Sequence, residues 1–291
     1  MPYFQHKNVN FHYEDIGSGE TIIALHGLSQ NSGYWTGTGI TDALTETYRV
    51  IALDMRAHGL TTISGSDKGY DIDTMVSDID ALANHLGLDK FHLLSHSTGG
   101  MIAARYAMKN AIKQVTIEPA GNNHHLLSLI LTNCSSATNF INKGPDLDAQ
   151  IIELLAQSFE NQSWEQLVEG LKINSGPLFA GIAAAQDSER QFNLALELMR
   201  TGNGKSIAAF IRSFYNDADP KIDDLRTINC PTLVISSELD PLFIASGELM
   251  ALEIPNAKQV IYQNVGHMTA IETPKQLINE VKCFLDETKT R

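Results

Sequence analysis

Cysteine is scarce in this chain: Cys134, Cys230 and Cys283 are the three among 291 residues, an odd number set far apart. No Cys-x-x-Cys pair or Cys/His cluster occurs, which excludes a zinc or dithiol reading and leaves reduced, mostly buried thiols as the expectation. Basic residues are few as well, 21 Lys and Arg against 34 Asp and Glu, for a formal net charge of -13 at pH 7. A surface of that sign repels phosphate backbones and anionic bilayers, so the expected partner is a small molecule, not nucleic acid or membrane. No stretch approaches the roughly 18 apolar residues that mark a bilayer span. Residues 1–7 lack the basic-then-apolar pattern of a secretory leader, so the cytoplasm is the expected location. No glycine-rich loop carries a following Lys-Ser/Thr or acidic partner, and His124-His125 is only an adjacent pair. Neither nucleotide, metal nor other cofactor is expected. Repeats and low-complexity segments are missing too, and nothing signals an oligomeric state.

What is present is enough apolar material for a sizeable core: 43% hydrophobic against 19% charged residues. The length fits one large domain or a core with an insertion. Short apolar runs at 21–25, 48–53, 91–94, 127–131, 232–235 and 259–262 are apolar on both faces and separated by helical patterns. They predict parallel strands in a sheet covered on both sides. Residues 4–15 alternate loosely before Gly17-Ser18-Gly19 and predict an antiparallel hairpin at the sheet edge. Helical spacing predicts helices over 71–85 and 101–108. A further helix starts at Thr273-Pro274-Lys275-Gln276, where Thr273 caps and Gln276 reaches back to the cap amide. Residues 138–219 break the alternation and predict helices at 147–159, from a Ser163/Gln166 capping box, at 182–199 and at 207–214. The expected organisation is a core of 1–137 and 220–291 carrying a helical cap, 138–219. The stretch 113–125 looks long for a helix-to-strand link and has no functional reading.

The sharpest chemical signal is Ser95-His96-Ser97-Thr98-Gly99-Gly100, which follows an apolar strand and opens an Ala-rich helix. In such a tight turn a serine is held up at the C-terminal edge of a sheet, between small residues, above a helix N-terminus. A nucleophilic Ser97 needs a base and the base an orienting group. His267 lies in the loop after the last strand, on the same sheet edge. Asp240 follows the strand at 232–235 and is the candidate acid; Glu238, two residues earlier, is its competitor. The loop after Leu131 offers Asn133 and Cys134 but no carboxylate. Acyl chemistry also needs oxyanion donors, expected from the backbone N–H groups of Thr98 and Leu28, with His26 bracing the loop that carries Leu28. Candidate pocket residues are Trp35, His96 and Phe179.

Leu25-His26-Gly27, Asp54-Met55-Arg56-Ala57-His58-Gly59, the Ser97 hexapeptide, Asp240-Pro241 and Gly266-His267 together resemble the α/β-hydrolase superfamily. Ser95 and Ala57 stand where glycine is usual. The resemblance implies an eight-stranded, mostly parallel sheet with helices on both faces and a site between core and cap. It also implies a triad of Ser97, Asp240 and His267, with oxyanion amides on Leu28 and Thr98. A serine nucleophile in this superfamily implies acyl transfer to water. The expected function is hydrolysis of a small to medium carboxylic ester. Alternatives are a C–C hydrolase, lactonase or lyase on the same triad, or a hydrolase-like ligand receptor.

Overall fold

The computed structural model describes residues 2–65, 69–115 and 124–289. The strands are β1 (Tyr3–His6), β2 (Val9–Gly17), β3 (Glu20–Leu25), β4 (Tyr48–Leu53), β5 (Thr62–Ile63), β6 (Lys90–His96), β7 (His125–Thr132), β8 (Thr232–Ser237) and β9 (Ala257–Tyr262). The helices before β8 are α1 (Gly33–Thr36), α2 (Ile40–Leu44), α3 (Ile72–His85), α4 (Thr98–Val115), α5 (Pro145–Asn161), α6 (Trp164–Ile173), α7 (Ala180–Ala184), α8 (Ser188–Arg200), α9 (Gly204–Phe214) and α10 (Ile222–Leu225). After β8 come α11 (Ile244–Glu253), α12 (Thr269–Glu272) and α13 (Pro274–Lys289).

Among the described residues the sheet has nine strands, eight in the order β1-β2-β4-β3-β6-β7-β8-β9 and β5 paired to β2 off that path. All six strands expected from apolar runs are there, and their pairings with one another are parallel. Every residue of β8 and all but the first of β3 are buried, and successive side chains point to opposite faces, so both faces are covered. The helix α4 lies on β6 and β7, α11 on β8 and β9, and α2 packs with α13. The run at 259–262 departs from its expectation: only Tyr262 of β9 is buried, because β9 is the margin of the sheet and has one neighbour. β1 and β2 form the expected hairpin.

The implied count of eight strands falls one short. β5 is two residues long, and its placement comes from a knot of tertiary hydrogen bonds around Asp54. The Asp54 carboxylate accepts from the backbone N–H of Ser32 (2.6 Å) and Leu60 (2.8 Å) and meets His12 Nδ1 at 2.8 Å. Thr61 Oγ1 accepts from His12 N at 3.0 Å and donates to the Asp54 carbonyl at 2.6 Å, drawing the chain back along β2. Within this loop Ala57 holds φ +69°, a left-handed conformation that disfavours a Cβ. Ala57→Gly is therefore expected to stabilise the fold by about 0.5–1 kcal/mol, net of the extra entropy of an unfolded glycine, seen as a higher urea midpoint at unchanged m.

Helices α5 to α10 lie between β7 and β8, and α5 to α9 fall within the interval 138–219. The expected capping box of α6 is present in both directions. The helix expected over 182–199 is instead two, α7 and α8, because Ala185 is extended at ψ 148°. The two ends of the interval meet: the backbone N–H groups of Thr138 and Asn139 both donate to the Asp217 carbonyl at 2.8 Å. At the start of α13, Gln276 meets the Thr273 hydroxyl at 3.2 Å and not the cap amide. Cys134 and Cys230 are buried, whereas Cys283 is exposed on α13. Of the 113–125 stretch, 116–123 lies outside the described residues. No helix among the described residues is long and apolar enough to cross a membrane.

Candidate active site

Ser97 stands at the turn from β6 into α4 with φ +52°, a left-handed backbone that a serine adopts only under constraint. The constraint comes from both sides. Ser97 N–H donates to the Thr132 carbonyl at 3.0 Å, and Gly99 N–H donates to the His26 carbonyl at 3.1 Å. A Cβ on Gly99 would run into that same carbonyl, and one on Gly100 into Cys134. Ser95, in the usual glycine position, turns its hydroxyl away from the turn and donates to the Ile130 carbonyl at 2.8 Å.

The ends of β6, β8 and β9 bring three distant residues together. His267 Nε2 lies 3.0 Å from Ser97 Oγ, and His267 Nδ1 lies 2.7 Å from Asp240 Oδ2. Asn133 Nδ2 donates to the same Asp240 oxygen at 2.9 Å. His267 and Asp240 are buried, while Ser97 keeps 8% of its surface exposed. With Nδ1–H donated to the carboxylate, Nε2 is left as the acceptor facing the serine hydroxyl. Glu238 is elsewhere: it accepts from the Asn264 backbone N–H at 2.8 Å in an exposed position.

Among the described residues, no acceptor meets the backbone N–H of Leu28 or of Thr98. Both residues line the cavity above Ser97. The loop that carries Leu28 is braced as the sequence suggests. His26 Nδ1–H donates to the Gly27 carbonyl at 2.8 Å, and His26 Nε2 accepts from Met55 N–H at 3.1 Å. Burial pushes the His26 imidazole below its ordinary pKa, so it stays neutral in this role. Gln30 Oε1 accepts from Gly27 N–H at 2.8 Å and tightens the turn.

The cavity measures about 380 Å³ and runs from Ser97 and His267 up to the inserted helices. Ile151, Leu155 and Phe159 of α5, Leu167 and Leu171 of α6, and Met199 of α8 line it. No Lys, Arg, Asp or Glu does, among the described residues. Phe179 lines it too. Trp35 does not: it is fully buried, edge-on to Tyr34 at 5.0 Å between ring centroids, because α1 turns its side chain into the core. His96 does not either. It is fully buried, stacked on Tyr34 at 4.6 Å and tilted against His267 at 4.8 Å. Burial drives its imidazole well below the ordinary value, aided by the neighbouring His267, so it is a neutral wall behind His267. Sequence reasoning missed Tyr215, which lines the cavity and shares a 2.6 Å hydrogen bond with Thr98 Oγ1. Its single signal was a tyrosine closing the aromatic-rich helix α9.

A covered parallel sheet with a strained serine turn, a loop histidine and unpaired amides at one edge defines a class. The chain belongs to the alpha/beta hydrolase fold family, whose pattern matches residues 20–274. It is 27% identical over 272 residues, 90% of each chain, to the non-heme chloroperoxidase CPO-A1 of Kitasatospora aureofaciens. It is 24% identical over 273 residues to the pimeloyl-(acyl-carrier protein) methyl ester esterase of Aeromonas hydrophila, 94% of this chain and 98% of that one. A solved carboxylesterase structure from Nitrososphaera gargenis is similar in fold, with TM-score 0.80 over 99% of both chains at 22% identity.

Proposed function

We propose that the protein is a serine hydrolase that cleaves small to medium, uncharged carboxylic esters through an acyl-enzyme on Ser97. The observation that carries this reading is the Ser97–His267–Asp240 relay, with contacts of 3.0 and 2.7 Å, opening onto a cavity that no Lys, Arg, Asp or Glu lines among the described residues. Helices α5 to α9 act as the cap that forms the upper walls. Ser97 Oγ attacks the ester carbonyl while His267 Nε2 takes its proton, and Asp240 stabilises the imidazolium. The oxyanion falls to the N–H groups of Leu28 and Thr98, which have no other partner among the described residues. Collapse expels the alcohol, protonated by His267. A water then repeats the attack on the acyl-enzyme and releases the acid.

The cavity sets the substrate. A cavity of about 150 Å³ holds benzene, so 380 Å³ accommodates about fifteen non-hydrogen atoms in all. A carboxylate on the acyl chain would lose its hydration there and meet no cation. Among p-nitrophenyl esters, the optimum is expected at acyl chains of about three to five carbons, with ω-carboxylate analogues at least about tenfold poorer in kcat/KM. Ser97→Ala serves as the blank. Equal turnover by Ser97→Ala would remove the acyl-enzyme reading, and a preference for the ω-carboxylates would remove the substrate class. Lactones and vinylogous diketones in the same panel test the lactonase and C–C hydrolase alternatives, which use the same residues.

A further inference from the structure

We propose that Glu272 is the positioning residue of the base loop, clamping the backbone on both sides of His267, and that the inserted helices seat on this clamp through Gly181. This rests on the reading of His267 as the base. The short helix α12 starts two residues after His267 and ends at Glu272, whose side chain folds back over the loop. Its Oε2 accepts from Gly266 N–H at 2.6 Å and its Oε1 from Met268 N–H at 2.8 Å. One carboxylate therefore holds two peptide planes in a single geometry, and the Cα of His267 sits between them. Charge-assisted bonds to backbone N–H are the stronger kind, which suits a loop that must keep an imidazole within 3.0 Å of a hydroxyl.

The second observation lies on the other partner. Gly181 of α7 approaches so closely that a Cβ there would overlap the Glu272 carboxylate and crowd Gly266 N. A Cβ on Gly266 would in turn lie 2.8 Å from Gly181 Cα. Two glycines thus let the inserted helix and the base loop touch backbone to backbone, with Glu272 beneath the contact. The groups facing Glu272 are His267, Asp240 and Tyr34, whose hydroxyl accepts from Ala270 N–H at 3.2 Å and anchors α12 from α1. Burial leaves the Glu272 carboxyl above its ordinary value, with the two amides and His267 pulling it down and the nearby Asp240 raising it further. Its negative charge adds to that of Asp240 in stabilising an imidazolium.

The test uses p-nitrophenyl ester turnover and fluorophosphonate labelling across pH in Glu272→Gln and Gly181→Ala. Glutamine keeps one acceptor and loses the charge. Glu272→Gln is expected to lower kcat about 10- to 100-fold with KM within about twofold, and to move the acidic limb of kcat/KM to lower pH. Gly181→Ala is expected to lower kcat at least about tenfold without moving that limb, since the charge remains. If Glu272→Gln fails to fold, Glu272→Asp supplies the reading: kcat falls while the acidic limb stays in place. A pH profile and kcat for Glu272→Gln that superimpose on the parent overturn the clamp, and an unaffected Gly181→Ala overturns the seat. Ser97→Ala separates the two levels. If it is still labelled, the proposed function fails. If it is silent while Glu272→Gln behaves as the parent, only this inference fails.

Discussion

Replacing Ser97 by alanine is expected to lower kcat/KM for the best ester by at least about 10⁴-fold, and adding His267→Ala to that variant is expected to cost almost nothing more. Once the nucleophile is gone, the base has no proton to take, so the second substitution removes a function already lost. Fold is expected to survive both changes. Ser97 loses only a hydroxyl whose one side-chain partner is His267, and the positive φ is imposed by the Thr132 and His26 carbonyls, not by the side chain. Single-turnover kinetics with circular dichroism as the control check this. Multiplicative losses in the double variant would mean that the two residues act independently, and the acyl-enzyme mechanism would be wrong.

The largest effect on stability is expected far from that chemistry, at Arg56 and Asp78. The Arg56 guanidinium donates twice to the Asp78 carboxylate, at 2.5 and 2.9 Å, with only 1% of the arginine side chain exposed. It also lies over the Phe11 ring at 5.6 Å. Removing one partner strands the other charge in the core. Asp78→Ala is expected to cost about 3–5 kcal/mol in the urea-derived unfolding free energy. Replacing both groups together by apolar residues, Arg56→Met with Asp78→Leu, is expected to recover most of that loss, because neither charge then needs a partner. A double variant as unstable as the single one would show that the pair stabilises by its own attraction.

The parallel core was legible because burial on both faces writes itself into a strand as a continuous apolar run. β3 and β8 are such strands, whereas β9 carries an apolar run although its place at the margin leaves it half-exposed. β5 left no trace, since two residues have no periodicity and are held by Asp54 and Thr61 from outside. The break between α7 and α8 was equally silent: an alanine in extended conformation looks like any helical alanine. At the site, Ser97, Asp240 and His267 could be placed because each follows a strand, and strand ends share one edge of a parallel sheet. Which way a loop side chain turns is a different matter. Trp35 follows the Leu28 loop and His96 adjoins Ser97, yet Tyr34 packs against both and neither reaches the cavity. Tyr215 and Glu272 act through partners 117 and 6 residues away, and neither partner marks the other in the sequence.

The meeting of Thr138 and Asn139 with Asp217 has a bearing on how such a protein changes over evolutionary time. The chain leaves β7 and returns toward β8 through the same doorway, so the sheet registers only the doorway and not what is strung beyond it. Ser136 Oγ on the Pro220 carbonyl at 2.7 Å, and Arg105 on the Ser136 and Asp219 carbonyls at 2.7 and 2.9 Å, bolt that doorway shut from the core side. Lengthening a closed excursion adds little to its entropy of closure. Helices there can be exchanged or extended while Ser97, Asp240 and His267 stay where they are, and every exchange redraws the walls of the cavity. Under the proposed function, the segment that shapes the cavity is thus set apart from the residues that break the bond.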